Sequence, residues 1–494
     1  MLTILLPQPA APPWQLHLGR RYAGPPRHES DATEKYYTAQ SLDHFASNAQ
    51  RLRHTWSQRY FEDVSSWSGP GAPVIIGLGG EAPAYGAPSG LAGQIAQTHG
   101  AALITLEHRF YGQSHPTANM TAANLAHLDA EQALADAAQF IWWWSEQHQA
   151  HNSSFISWGG SYAGQLAAWM RLRYPTSVAG AVAFSAPVLA QLDFYQYNRV
   201  VTDVVRAFGG AGCVQLLEDA FAELVSTLKS GAAGRTRAAQ ILKACNVTKT
   251  DDDDATLRGS VSGAIQSLVQ YNEHGIDPSV ASFCAAGASA SSNGSTPLEA
   301  LGAMLASLER YPGYCMLSLY DDYMEPLRDT NFTTGTPTTR QWYYQLCNAF
   351  GQQGCEPNGK DCGKGVPGLK PSLMAPLELG PLAEGLELCD DLYGLTATPP
   401  AAWSGHQRGW TNVRNGGREL EVSNVIFVNG RRDPYSSVSV LPEQLTPAQV
   451  ALGVKAVAVT DGSHCVGMKP ASSADSPDLA AAKAAVGRAV AEWV

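Results

Sequence analysis

The sequence predicts an α/β fold that carries a large helical insertion. Short continuous apolar runs, the mark of strands buried on both faces, recur in the first 195 residues and again after residue 423. Helical periodicity separates these runs, which is the alternation expected of a parallel sheet with covering helices. Between residues 200 and 350 the helical periodicity continues without any buried-strand run. The chain has 494 residues, 45% hydrophobic and only 16% charged, which is enough apolar material for a large core and excludes wholesale disorder. Lys and Arg number 33 against 44 Asp and Glu, a net charge of −11 that argues against a nucleic-acid partner. No run of 18 or more apolar residues occurs, so no membrane span is expected.

Residues 1–35 are Pro-rich and unpatterned, as expected of a poorly ordered leader. Leu2 to Leu6 is apolar, but it lacks a basic flank and ends at Pro7, so it is too short for the core of a signal peptide. A strand-and-turn pattern starts near residue 36. Residues 73–78 (PVIIGL) run into Gly79-Gly80, and 101–106 (AALITL) run into Glu107-His108-Arg109. Within 124–144, Leu134, Ala137, Ala138, Ile141 and Trp144 fall on one helical face. Residues 155–157 lead into a Gly pair. Residues 163–174 then form a helix that stops before Pro175. Further strand runs lie at 180–184, 425–428 and 455–459.

The pattern divides the chain into a first α/β part at 36–195, a helical insertion at 196–405 and a second α/β part at 406–494. In the insertion, 214–228, 237–244 and 297–308 are helical. The acid run at 251–254 is expected in a solvated loop. Residues 279–296, rich in Ser, Ala and Gly, are expected to be a flexible loop. Eight of nine cysteines lie between Cys213 and Cys389 without a CxxC pair, which favours up to four disulfides over zinc. Cys465 stands apart and is expected to be free. Asn119, Asn152, Asn246, Asn293 and Asn331 each open an Asn-x-Ser/Thr acceptor. Together with the cysteines they favour the secretory pathway, with the lysosome, vacuole or extracellular space as destination.

One stretch carries chemistry. Residues 155–164 (FISWGGSYAG) take a strand through Gly159-Gly160-Ser161 directly into a helix. A nucleophilic serine needs that sharp turn, because it lifts the hydroxyl clear of the sheet. The usual pattern places Gly two residues after the serine; here Ala163 stands there and Gly164 follows. An ordinary Gly-rich turn is the bland alternative. The base and orienting acid should follow in the order acid, then His. Asp433 lies just past the 425–428 strand, and His464 just past the 455–459 strand. Asp461 competes for the acid role but sits only three residues from His464. Two backbone donors for an oxyanion are expected at Tyr162 and at Gly80. Glu81, on the same loop, is a candidate to face a substrate.

Further stretches make the chain resemble the peptidase family of lysosomal prolyl carboxypeptidase, dipeptidyl peptidase II and thymus-specific serine protease. They are Leu42-Asp43-His44-Phe45, Gln58-Arg59-Tyr60-Phe61, Gly79-Gly80-Glu81, residues 106–112 (LEHRFYG), residues 131–136 (EQALAD), Gly159-Gly160-Ser161-Tyr162 with Gly164, Ser185-Ala186-Pro187, Asn429-Gly430 with Asp433-Pro434, and Ser463-His464-Cys465. The resemblance implies an α/β-hydrolase domain with a helical cap, and a triad of Ser161, Asp433 and His464. It implies exopeptidase action on short peptides, often after proline, with no metal or organic cofactor. A homodimer is compatible with it. Arg340-Gln341-Trp342, with Gln345, Cys347 and Phe350-Gly351, looks closest to the thymus-specific branch, and marks Trp342 and Gln345 as candidates to line the substrate site. Three departures stand out. Ala349 replaces a family carboxylate, Gly467 an Asp after the histidine, and Tyr435 a Trp after Asp433-Pro434. An esterase or lipase on the same fold and a catalytically impaired binding homologue are the competing readings.

Overall fold

The computed structural model describes residues 32–272, 277–308, 315–332, 338–353, 366, 368–380, 382–394 and 410–494. Its centre is an eight-stranded sheet in the order β1-β2-β4-β3-β5-β6-β9-β10. Strands β3 (Val74–Leu78), β4 (Ala102–Leu106), β5 (Phe155–Gly160), β6 (Gly180–Phe184), β9 (Val425–Gly430) and β10 (Lys455–Val459) are mutually parallel. These are the apolar runs of the sequence. At one edge β1 (Thr33–Ser41) and β2 (Thr55–Asp63) add antiparallel strands, with Thr33 opposite Glu62 and Tyr60 opposite Leu106. Their alternating polar residues face solvent on one side, so no continuous apolar run marks them.

Helices α1 (Leu91–His99), α2 (Ala130–His148) and α3 (Tyr162–Arg173) connect the parallel strands. The segment after β6 holds α4 (Tyr195–Lys229), α5 (Asp251–Gln270), α6 (Val280–Ser292), α7 (Pro297–Ala306), α8 (Thr339–Gln345) and α9 (Leu382–Tyr393). It also holds β7 (Gln191–Asp193) and β8 (Gly351–Gln353), which pair with each other. Helix α10 (Pro477–Trp493) closes the chain. Side chains alternate across the sheet. Val74, Ile76 and Leu78 pack on α2 and α3, whereas Ile75, Leu103 and Ile156 pack on α1 and α10. The result is a three-layer α/β-hydrolase domain. The insertion has its own core, built from Val201, Leu217, Phe221, Leu257, Ile265 and Phe283 among others. Helix α4 is long and apolar enough to cross a membrane by length and composition. Its Val201, Val205, Leu217 and Leu224 are instead buried in that core, and it kinks at Gly210.

Two expectations in the insertion are corrected. Residues 279–296 are not a flexible loop: residues 280–292 form α6 and Pro297 opens α7. Ser279 and Ser282 form a capping box at the start of α6, and Cys284 bonds to Cys213. The small residues let neighbouring elements approach, since a Cβ on Gly287 would stand 2.6 Å from Met304 Sδ. The acid run at 251–254 is the first turn of α5, capped by Thr250, where carboxylates favour the helix dipole. Asp254 there receives the Arg235 guanidinium at 2.7 Å. Disulfides join Cys213 to Cys284, Cys245 to Cys315 and Cys347 to Cys389, and Cys465 is a free buried thiol. Cys355 and Cys362 lie outside the described residues.

Candidate active site

Ser161 stands between β5 and α3 with φ 58° and ψ −130°, a backbone that a serine adopts only under constraint. The constraint is visible. A Cβ on Gly159 would stand 2.2 Å from the Ala163 carbonyl oxygen, and one on Gly164 would stand 2.8 Å from the Phe184 oxygen. Gly164 therefore fills the role the usual pattern gives to the position before it. Tyr162 is the first residue of α3, so its backbone N–H has no acceptor within the helix. Gly80 lies over this turn, and its Cβ would be 3.5 Å from that of Ala163.

The loops after β9 and β10 are tied together. Arg431 and Arg432 donate their N–H groups to the Val459 and Gly462 carbonyls, at 2.9 Å each. His464 Nδ1 lies 2.8 Å from Asp433 Oδ2, and the residues are 4% and 0% exposed. Asp433 also caps the short helix Pro434–Val438 by accepting from the Tyr435 N–H at 2.9 Å. It is a turn former and an imidazole partner at once. With a carboxylate on Nδ1, that nitrogen carries the hydrogen and Nε2 is the basic one. Nε2 is buried and has no hydrogen-bond partner among the described residues. Asp461, the competing acid, is exposed and pairs with Arg432.

The His464 loop abuts the serine turn, since a Cβ on Gly160 would stand 2.9 Å from Cys465 Sγ and 2.6 Å from Met468 Sδ. The Ser185 hydroxyl accepts from the Cys465 N–H at 2.8 Å, which fixes the loop from the end of β6. Gly467 has φ 96°, a conformation in which a residue with a side chain, Asp included, would be strained. Burial pulls the His464 pKa down, but the Asp433 carboxylate overrides it and holds the ring well above its ordinary value. Burial likewise pushes the Glu81 carboxyl up, while its own backbone amide and His464 pull it back. Glu81 is thus electrostatically in touch with the site.

Gln345 and Trp342 reach the same place from the insertion. Tyr111 Oη donates to Gln345 Oε1 at 2.5 Å, and Gln345 Nε2 donates to Tyr162 Oη at 2.8 Å. Tyr162 Oη lies 3.0 Å from His108 Nε2, whose other nitrogen donates to the Arg109 carbonyl at 2.7 Å. Burial drops the His108 pKa to about 4, so the ring is neutral and accepts the Tyr162 proton. Tyr111, Gln345, Tyr162 and His108 thus form one continuous hydrogen-bonded relay. The Trp342 ring packs 5.6 Å from that of Tyr162. Glu107, at the end of β4, accepts from Arg59, Ser114 and the Ala84 N–H, which anchors the loop beyond Glu81. Arg109 and Asp136 form a buried ion pair, to which His44 is hydrogen-bonded, that braces β1 against α2. The 106–112 stretch therefore includes structural as well as site residues. Gln270 and Tyr271 border the site without any sequence signal, whereas Tyr111 lies within the 106–112 stretch and Tyr435 is one of the departures. Among the described residues no cluster of three His, Cys, Asp or Glu side chains is placed to hold a metal ion.

The family model for serine carboxypeptidase S28 matches residues 40–486. The thymus-specific serine protease of Mus musculus is 32% identical over 468 residues, covering 92% of this chain and 86% of its own length. The protein of the same name from Homo sapiens is 33% identical over 440 residues, covering 86% and 80%. The lysosomal Pro-X carboxypeptidase of Homo sapiens is 25% identical over 486 residues, covering 93% and 88%.

Proposed function

The chain belongs to the serine carboxypeptidase S28 family and is a serine-type peptidase, and we propose that it trims short peptides from a free end with Ser161, Asp433 and His464. The observation that carries this is the buried Asp433–His464 pair, with its basic nitrogen unpartnered among the described residues, set against a strained serine turn. His464 Nε2 takes the Ser161 proton as the oxygen attacks the scissile carbonyl, and later passes it to the leaving amine. Asp433 fixes the tautomer and stabilises the imidazolium. Backbone N–H groups at Tyr162 and Gly80 hold the oxyanion, helped by the positive end of α3. Residues 196–405 act as the cap, and Trp342, Gln345 and Glu81 line the substrate site. Bonds following proline are among its targets, in keeping with the name of the human Pro-X carboxypeptidase.

The same reading places the protein in the secretory pathway or lysosome. Three disulfides support this, as do acceptors at Asn152, Asn246 and Asn293 that are exposed. A homodimer would give twice the 52.6 kDa chain mass by light scattering. Fluorophosphonate labelling tests the nucleophile: wild type should label, and Ser161→Ala should not, with kcat down roughly 10⁶-fold. Activity of that variant within about tenfold of wild type contradicts the assignment. A panel then fixes specificity. Xaa-Pro amides report action from the amino end, Pro-Xaa peptides action from the carboxyl end, and acyl esters the esterase alternative.

A further inference from the structure

The insertion does more than cover the site. The His464 backbone N–H donates at 2.9 Å to the carbonyl of Gln270, the last residue of α5. Helix C-termini gather unsatisfied carbonyls and partial negative charge. Here that end meets the one side chain that must carry positive charge during the reaction. The Gln270 side chain is itself fastened: it accepts from Tyr197 Oη at 2.7 Å and donates to Tyr271 Oη at 3.1 Å. The Tyr271 ring meets His464 edge-on, with centroids 5.8 Å apart, and Tyr435 lies 5.2 Å away on the imidazole's other neighbour loop. Tyr197 packs on Tyr435 at 5.5 Å, so residues of the insertion and of the Asp433 loop enclose the ring together.

We propose that Gln270 and Tyr271 are positioning residues: the end of α5 holds the His464 loop in register with Ser161 and favours the protonated imidazole. This rests on the reading of His464 as the general base. The charged and titratable groups facing His464 are Asp433, Glu81, Cys465, Tyr271 and Tyr435. The helix terminus adds a fixed contribution that does not titrate. Loss of that contribution lowers the imidazole pKa, so the acid limb of kcat/KM moves to lower pH.

The test compares Tyr271→Ala, Tyr271→Phe and Gln270→Gly with wild type on one short peptide amide, with melting temperature recorded for each. Tyr271→Ala and Gln270→Gly should lower kcat tenfold or more with KM within twofold, and move the acid limb down by roughly half a unit. Tyr271→Phe keeps the ring but loses the acceptor of the Gln270 amide, and should fall between wild type and Tyr271→Ala. If Tyr271→Ala melts early, Gln270→Gly decides alone: it keeps the carbonyl that His464 bonds, but removes the side-chain brace and so frees the helix end that carries that carbonyl. Wild-type kcat and acid limb in Gln270→Gly overturn the proposal, and so does a change confined to KM. Ser161→Ala and His464→Ala in the same assay keep the two readings apart. If they are inactive while Gln270→Gly behaves as wild type, only the positioning role falls; if they are active, the triad itself falls.

Discussion

As the proposed general base, His464 meets two demands that oppose each other. Its buried pairing with Asp433 holds the proton tightly, yet a general base must be neutral to act. The folded-state pKa lies above the ordinary 6.5. Proton binding by His464 therefore stabilises the fold fully below about pH 6.5, and that stabilisation is lost as pH rises through the raised value. Activity runs the other way. Over that same window kcat/KM should rise while melting temperature falls, and His464→Gln should flatten that part of the melting curve. A kcat/KM that is already at its plateau below pH 6 would contradict this. Gly159 makes a second residue-scale case. Gly159→Ala drives a methyl into the Ala163 carbonyl at 2.2 Å, and backbone cannot step aside cheaply. It should cost about 1–3 kcal/mol of stability by denaturant titration and abolish labelling of Ser161. The positions of Ser161, Asp433 and His464 were legible because each follows its strand within a few residues. Gln270 was not, because it meets His464 across 194 positions of chain and through a carbonyl that any residue would supply.

At the scale of elements, local composition misled where small residues have a packing task. Helix α6 is rich in Ala and Ser, which resembles a linker, but its capping box and the contact of Gly287 with Met304 need small side chains. The antiparallel strands β1 and β2 were faint for the opposite reason: half-exposed strands alternate polar and apolar residues and show no run. Helix α8 and the π-helical turn Leu346–Phe350 reach the serine turn from the insertion side, with the Trp342 and Phe350 rings 5.6 and 5.2 Å from that of Tyr162. The Cys347–Cys389 bond pins that turn to α9. The double substitution Cys347→Ala with Cys389→Ala should cost about 2–4 kcal/mol. It should also raise KM more than it lowers kcat, because Trp342 and Gln345 lose their support while Asp433 and His464 do not. Unchanged KM would mean that this element does not shape the substrate site.

For the whole molecule, six parallel strands point their carboxyl ends to one edge of the sheet. Gly80, Ser161, Asp433 and His464 all follow strands at that edge, where sites of open α/β sheets form. The insertion leaves after β6 and returns before β9, and these strands are neighbours in the sheet. Both stems therefore rise beside Ser161. From there the insertion binds the site at two separate points, through Gln345 to Tyr162 and through Gln270 to His464. A module packed to one side would need neither contact. On the proposed reading, a cover held at both points admits a chain end but not a segment that must enter and leave in extended form. Peptides of a few residues with free termini should be cut efficiently, whereas folded proteins and peptides blocked at both ends should be essentially untouched. Matched peptides, free and doubly blocked, assayed by mass spectrometry decide the matter, since equal rates would place the insertion beside the site rather than over it.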